Sequence, residues 1–165
     1  MIKKLAIVGA TGLVGRTVLK ILEEKDLPIY EYVLFSSSKS AGTVIKFKNK
    51  DYVVKELTEN SFSTEHFDFA IFSAGSSTSL KYAPIATQNG CIVIDNSSAF
   101  RMNKNVPLVV PEVNFEDLKS HKGIIANPNC STIQAVLPIK ALDEKYNVER
   151  IVYSTYQAVS GAGRY

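Results

Sequence analysis

Metal-ligating and thiol side chains are scarce in this 165-residue chain: two cysteines, Cys91 and Cys130, and two histidines, His66 and His121. Both histidines sit in polar stretches, Thr64-Glu65-His66 and Ser120-His121-Lys122, with no ligand partner at useful spacing, so no metal site is expected. Charge of one sign is also scarce. The net charge is +3 and the lysines are scattered, which favours neither nucleic acid nor a membrane surface and suits an anionic small ligand. A charged-then-apolar secretory leader is lacking, as is an apolar run of roughly 18 residues. The expectation is a cytoplasmic protein that neither enters nor binds a membrane and keeps its thiols reduced rather than paired. No internal repeat, low-complexity stretch or linker interrupts the chain.

What is present is ordinary globular composition, 45% apolar and 21% charged. That length and composition allow one domain with a full core, or one domain plus part of another. Apolar runs bounded by turn residues predict strands from Lys4 to Val8, Glu31 to Ser36, Phe67 to Ser73, Cys91 to Asp95, Pro107 to Val110 and Gly123 to Ala126. Helical spacing predicts helices from Leu13 to Lys25, from about Ser79 to Gln88 despite Pro84, and a short one near Phe115 to Lys119. Thr43 to Phe47 and Tyr52 to Val54 flank Asn49-Lys50-Asp51 as a hairpin. This alternation argues for an α/β fold, a mostly parallel sheet covered on both faces. Cys91, inside a core strand pattern, reads as structural.

The character changes near Cys130. A predicted helix runs to about Tyr146, with Pro138 as a kink candidate, and a β-rich stretch follows from Val148 to Gln157. Ser160-Gly161-Ala162-Gly163 comes next, two residues before the end. A strand and a flexible loop are an odd finish for a domain, so the chain reads as truncated.

Four motifs carry chemistry. Gly9-Ala10-Thr11-Gly12-Leu13-Val14-Gly15 follows the first strand and opens the first helix, the context in which glycines let backbone approach a pyrophosphate. The second strand ends Phe35-Ser36-Ser37-Ser38-Lys39-Ser40, without the carboxylate that binds a ribose 2′-hydroxyl. Its hydroxyls and lysine suit a 2′-phosphate, hence NADP; a solvated serine-rich loop is the alternative. Asp95-Asn96-Ser97-Ser98-Ala99-Phe100-Arg101 leaves the end of a core strand, where Arg101 is either an anion clamp or a surface arginine. Asn127-Pro128-Asn129-Cys130-Ser131-Thr132 places a thiol at a helix N-terminus. Unpaired N–H groups and the helix dipole there generally favour the nucleophilic thiolate. A small buried hydrophobe is the alternative from that segment alone.

A nucleotide fold joined to such a cysteine suggests thiolate addition to an aldehyde, hydride transfer to NADP, and release of the thioester by phosphate. On the motifs above, together with Phe72-Ser73-Ala74-Gly75-Ser76-Ser77, Val109-Val110-Pro111-Glu112-Val113-Asn114 and Ser154-Thr155-Tyr156-Gln157-Ala158-Val159-Ser160-Gly161-Ala162-Gly163, the chain resembles the bacterial-type aspartate-β-semialdehyde dehydrogenases. The resemblance implies a Rossmann-like doubly wound NADP-binding domain over 1–127, then the beginning of an α+β catalytic and dimerisation domain over 128–165. It implies Cys130 as nucleophile, Gln157 as substrate-orienting residue, and Arg101 and Asn129 as phosphate and substrate ligands. Cofactor contacts would be Gly9, Thr11, Gly12, Leu13, Val14, Ser37, Lys39, Ser40, Ser73, Ala74, Gly75, Ser160 and Gly161.

The implied reaction interconverts L-aspartyl-4-phosphate and the semialdehyde with NADPH, on the way to lysine, threonine and methionine, in a full-length homodimer or homotetramer. Family members run on well beyond this length. Their general-base histidine, a substrate-carboxylate arginine and most of the dimer interface lie beyond the matched part, so this chain alone is expected to be inactive. N-acetyl-γ-glutamyl-phosphate reductase chemistry and a non-catalytic NADP-binding module are the alternatives.

Overall fold

Period-two alternation builds the sheet. In the computed structural model, which describes residues 2–156, β1 (Ile2–Val8) buries Leu5 and Ile7 in one apolar cluster and Ala6 and Val8 in another. β2 (Ile29–Ser36) repeats the division, with Tyr32 and Leu34 against Val33 and Phe35. Successive side chains of a strand point to opposite faces, so these runs are apolar throughout because both faces are covered.

β5 (Lys55–Glu56), β6 (Phe69–Phe72), β7 (Ile92–Asp95) and β8 (Ile124–Ala126) complete a six-stranded sheet of order β5-β2-β1-β6-β7-β8, and all its pairings are parallel. From β1 the chain winds outward through β2 to β5, returns to the other side of β1 as β6, and winds outward again. The reversal lies between β1 and β6, and doubly wound sheets open their ligand crevice at such a point, beyond the strands' C-terminal ends. The fold is α/β and Rossmann-like.

α1 (Leu13–Lys25) connects β1 to β2 and buries Gly15, Leu19 and Leu22, while α2 (Ser76–Gln88) connects β6 to β7 and buries Ser79, Ala83 and Ala86. The small residues of α2 let it lie close to its neighbours. β3 (Val44–Phe47) and β4 (Lys50–Val53) form the expected antiparallel hairpin. It turns at Lys48 and Asn49, both in the left-handed region at φ 47° and 58°, the geometry that matches the twist of paired strands.

By contact density the chain divides into two compact units, Met1–Pro128 and Asn129–Tyr165. The first also holds α3 (Pro111–Asn114) and a 3-10 segment, Phe115–Ser120. The second holds α4 (Cys130–Tyr146), which runs through Pro138 and buries none of its residues. Among the described residues no helix is long and apolar enough to cross a membrane.

Several expectations need correction. Pro107 to Val110 is not a strand but a parallel bridge of Leu108 to Ala126, closed by two backbone bonds, Val109 N–H to the Ala126 carbonyl and Ala126 N–H to the Pro107 carbonyl. Prolines 107 and 111 bracket it and cannot donate, so the ladder cannot extend. The stretch from Val148 to Tyr156 forms no strand, because β-rich composition needs a neighbouring strand to pair with. α2 starts at Ser76 rather than Ser79 and continues through Pro84. β5, two residues long, was not expected at all. Gln157, Ser160 and Gly161 lie outside the described residues.

Candidate functional site

The glycine-rich turn is shaped by contacts that leave no room for side chains. Gly9 has φ +89°, and a Cβ there would stand 2.4 Å from the Ser73 carbonyl oxygen. A Cβ on Gly15 would stand 2.2 Å from the Gly9 carbonyl oxygen. These two glycines let β1, the loop after β6 and the start of α1 close on one another. The Gly9 and Ala10 amides donate to the Phe35 carbonyl at 2.9 and 3.1 Å, and Thr11 Oγ1 hydrogen-bonds Ser36 Oγ at 2.8 Å, fastening the turn to the end of β2.

Gly12 differs. Its backbone is ordinary (φ −74°, ψ 167°), and a Cβ would meet only the Gly9 carbonyl oxygen, at 3.3 Å. The fold tolerates a side chain at Gly12 far better than at Gly9 or Gly15, which points the lack of one outward, toward an approaching ligand. Gly12 caps α1, and Gly75 caps α2 at φ 88°. Neither helix has a side-chain cap bond or an acid in its first turn, so the open amides and positive dipole ends of both suit an anion.

A cleft of about 470 Å³ lies here, lined by Val8, Gly9, Thr11, Gly12, Ser36, Ser37, Ser38, Glu56, Leu57, Ser73, Ala74, Thr78 and Tyr82. That size is ordinary for a cofactor site, and the lining mixes backbone, hydroxyls and a few apolar faces. Of the expected cofactor contacts, Gly9, Thr11, Gly12, Ser37, Ser73 and Ala74 line the cleft; Leu13 and Val14 form the exposed first turn of α1. Lys39 and Ser40 lie on the 3-10 turn Ser38–Ser40, outside the lining, with Lys39 exposed. The residues present fit a dinucleotide.

Glu56, Leu57, Thr78 and Tyr82 were missed by sequence reasoning. Thr78 and Tyr82 lie a turn apart on α2, but the sequence does not show which face of that helix meets the turn. Glu56 and Leu57 come from and just after β5, too short to show any period. The Leu57 N–H donates to the Ser36 carbonyl at 2.9 Å, a tie to β2 that appears only in three dimensions.

At the end of β7 stands a second constellation. Asp95, fully buried, accepts from Ser79 Oγ at 2.6 Å and Ser97 Oγ at 2.7 Å, and from the Ser97 N–H at 3.2 Å. Arg101 Nε donates to the Asn127 carbonyl at 2.9 Å and Nη2 to the Asn96 carbonyl at 3.1 Å, while Asn127 Nδ2 donates to Asn96 Oδ1 at 2.6 Å. The guanidinium is thus held in place by backbone. Its Nη1 protons have no acceptor among the described residues, an arrangement suited to holding an anion.

In the second unit, Asn129 is the N-cap of α4 and its Oδ1 accepts from Ser131 N–H at 2.9 Å. Cys130 is the first helical residue and is exposed. Cys91 is its opposite: buried at 2% exposure, with desolvation, and secondarily the Asp68 carboxylate, pushing its thiol up to about 12. That makes Cys91 a packing residue. Among the described residues no cluster of metal-ligating side chains occurs.

Residues 4–121 match the family described as semialdehyde dehydrogenase, NAD binding domain. The chain is similar to an aspartate-semialdehyde dehydrogenase of Aquifex aeolicus, 59% identical over 163 residues, which covers 97% of this chain and 47% of that protein. Among solved structures it resembles aspartate semialdehyde dehydrogenase II from Vibrio cholerae (45% identity, TM-score 0.93, 99% of this chain and 49% of that one). It also resembles aspartate semialdehyde dehydrogenase with NADP from Candida albicans (29% identity, TM-score 0.74, 90% and 48%). The chain spans about half the length of the curated relatives it matches. By its glycine-rich turn, its doubly wound sheet and the match over residues 4–121, the chain belongs to the semialdehyde dehydrogenase family and carries that family's NAD-binding domain.

Proposed function

We propose that this chain is the cofactor-binding and nucleophile-bearing part of an NADP-dependent, phosphorylating aspartate-semialdehyde dehydrogenase. The observation that carries the reading is Cys130: an exposed thiol on the first residue of a 17-residue helix capped by Asn129. Support also comes from relatives named for this activity, at up to 59% identity, and from the relative solved with NADP.

The Cys130 thiolate adds to the aldehyde carbon of L-aspartate-4-semialdehyde, forming a C–S bond as the carbonyl π pair moves onto oxygen. That oxygen re-forms the C=O bond as the C–H bond breaks with its electron pair, leaving a thioester on Cys130. NADP, when bound, supplies the hydride acceptor for this oxidation. A phosphate oxygen attacks the thioester, the C–S bond breaks, and aspartyl-4-phosphate leaves as the thiolate is restored. Arg101 holds phosphate through its free guanidinium edge, and Asn129 and Gln157 orient the substrate. Gly9, Thr11, Gly12, Leu13, Val14, Ser37, Lys39, Ser40, Ser73, Ala74, Gly75, Ser160 and Gly161 bind the dinucleotide. The catalytic entity is the full-length cytoplasmic enzyme, a dimer or tetramer, acting on small molecules.

The test is phosphate-dependent NADPH formation from aspartate semialdehyde by the full-length protein, with Cys130→Ser alongside. Activity lost in the variant, with NADP binding kept, supports the assignment; full activity in the variant removes it.

A further inference from the structure

Glu56 brings a carboxylate to the dinucleotide cleft from a strand other than the one that ordinarily supplies it. An acid at the end of the second strand usually binds the adenosine ribose 2′-hydroxyl. Here β2 ends in serines, but β5 pairs beside it in parallel register, Phe35 with Lys55 and Ser36 with Glu56. Paired residues of neighbouring strands share a face of the sheet. Ser36 turns to the cleft, where it bonds Thr11, and Glu56 lines the same cleft.

The neighbouring Lys55 does not neutralise it. Lys55 Nζ is 2.6 Å from Glu65, and among the described residues Glu56 has no ion-pair partner. Ser36, Ser37 and Ser38 stand beside Glu56 in the lining, whereas Lys39 does not. A ribose placed against those serines therefore meets an uncompensated carboxylate from one side and reaches the lysine only outside the cleft.

Resting on the cofactor reading above, we propose that Glu56 is a specificity-determining residue. It opposes the 2′-phosphate of NADP, accepts a hydrogen bond from the 2′-hydroxyl of NAD, and so narrows the preference between the two. Like charges several ångströms apart at the edge of water repel weakly, so removing the charge shifts relative affinity by about five- to ten-fold rather than by orders of magnitude.

The test is titration of NADP and NAD into the purified protein, followed by calorimetry, for wild type, Glu56→Gln and Glu56→Asp. Glu56→Gln is expected to raise the NADP-to-NAD affinity ratio about five- to ten-fold, and Glu56→Asp to stay within about two-fold of wild type. Raising ionic strength is expected to shrink the difference between wild type and Glu56→Gln. An unchanged ratio in Glu56→Gln, or one shifted toward NAD, overturns the proposal while leaving the cofactor reading intact. Failure of wild type to bind either nucleotide overturns both.

Discussion

Ser79 Oγ donates a 2.6 Å hydrogen bond to Asp95 Oδ1, tying the first part of α2 to the end of β7 where both are fully buried. No cation reaches this carboxylate among the described residues; two hydroxyls and one amide satisfy it. Asp95→Ala leaves those donors unpaired in the interior and is expected to cost about 2–4 kcal/mol. Asp95→Asn keeps one accepting oxygen, and the Ser97 hydroxyl can rotate to accept in turn, so about 1 kcal/mol is expected. Urea unfolding of the three proteins checks the order; equal losses in both variants would contradict it.

The glycines of the first turn divide by cause. Gly15→Ala drives a methyl to 2.2 Å from the Gly9 carbonyl oxygen, and the backbone must shift. About 2 kcal/mol or more of stability is expected to go with it. Gly12→Ala meets its nearest atom at 3.3 Å, and about 1 kcal/mol or less is expected, much of it from the poorer N-cap. NADP affinity should nonetheless fall ten-fold or more in Gly12→Ala, by the logic that backbone must approach pyrophosphate closely. Thermal unfolding and nucleotide titration, run together, separate the two positions.

Cys91 gives the fold a measurable alkaline dependence. Its thiol titrates at about 12 when folded, against 9.0 for an unperturbed cysteine. Across that window the unfolded chain has lost a proton the folded chain keeps, so stability falls as pH rises. Below it both states are protonated and the group adds no pH dependence. The slope approaches about 1.4 kcal/mol per pH unit. Urea midpoints at pH 8, 9 and 10 are expected to decline more steeply in wild type than in Cys91→Ala. The same contrast appears in labelling: iodoacetamide at pH 8 should modify exposed Cys130 in the folded protein and reach Cys91 only after denaturant is added.

Much of the fold was legible because its central strands are apolar on both faces. Leu5 to Val8 and Tyr32 to Phe35 leave no polar face to confuse with a loop, and the bounds of α1 and α4 followed from the glycine turn before one and Asn129 before the other. Legibility failed where structure depends on a neighbour. β5 exists through two register pairs with β2, Leu108 makes one bridge because prolines close it off, and the β-rich run after Asn147 finds no strand to join among the described residues. At the candidate site the glycines and serines announced themselves by local chemistry. Glu56 did not, since only strand order brings it beside Ser36.

Cys130 is the residue proposed to carry the acyl group. The direct measurement is mass spectrometry of the full-length protein after incubation with aspartate semialdehyde and NADP in phosphate-free buffer. An aspartyl thioester is expected on the peptide containing Cys130, released by added phosphate or hydroxylamine and never formed in Cys130→Ser. NADPH production with that peptide unmodified, or an acyl group found on another residue, would contradict it.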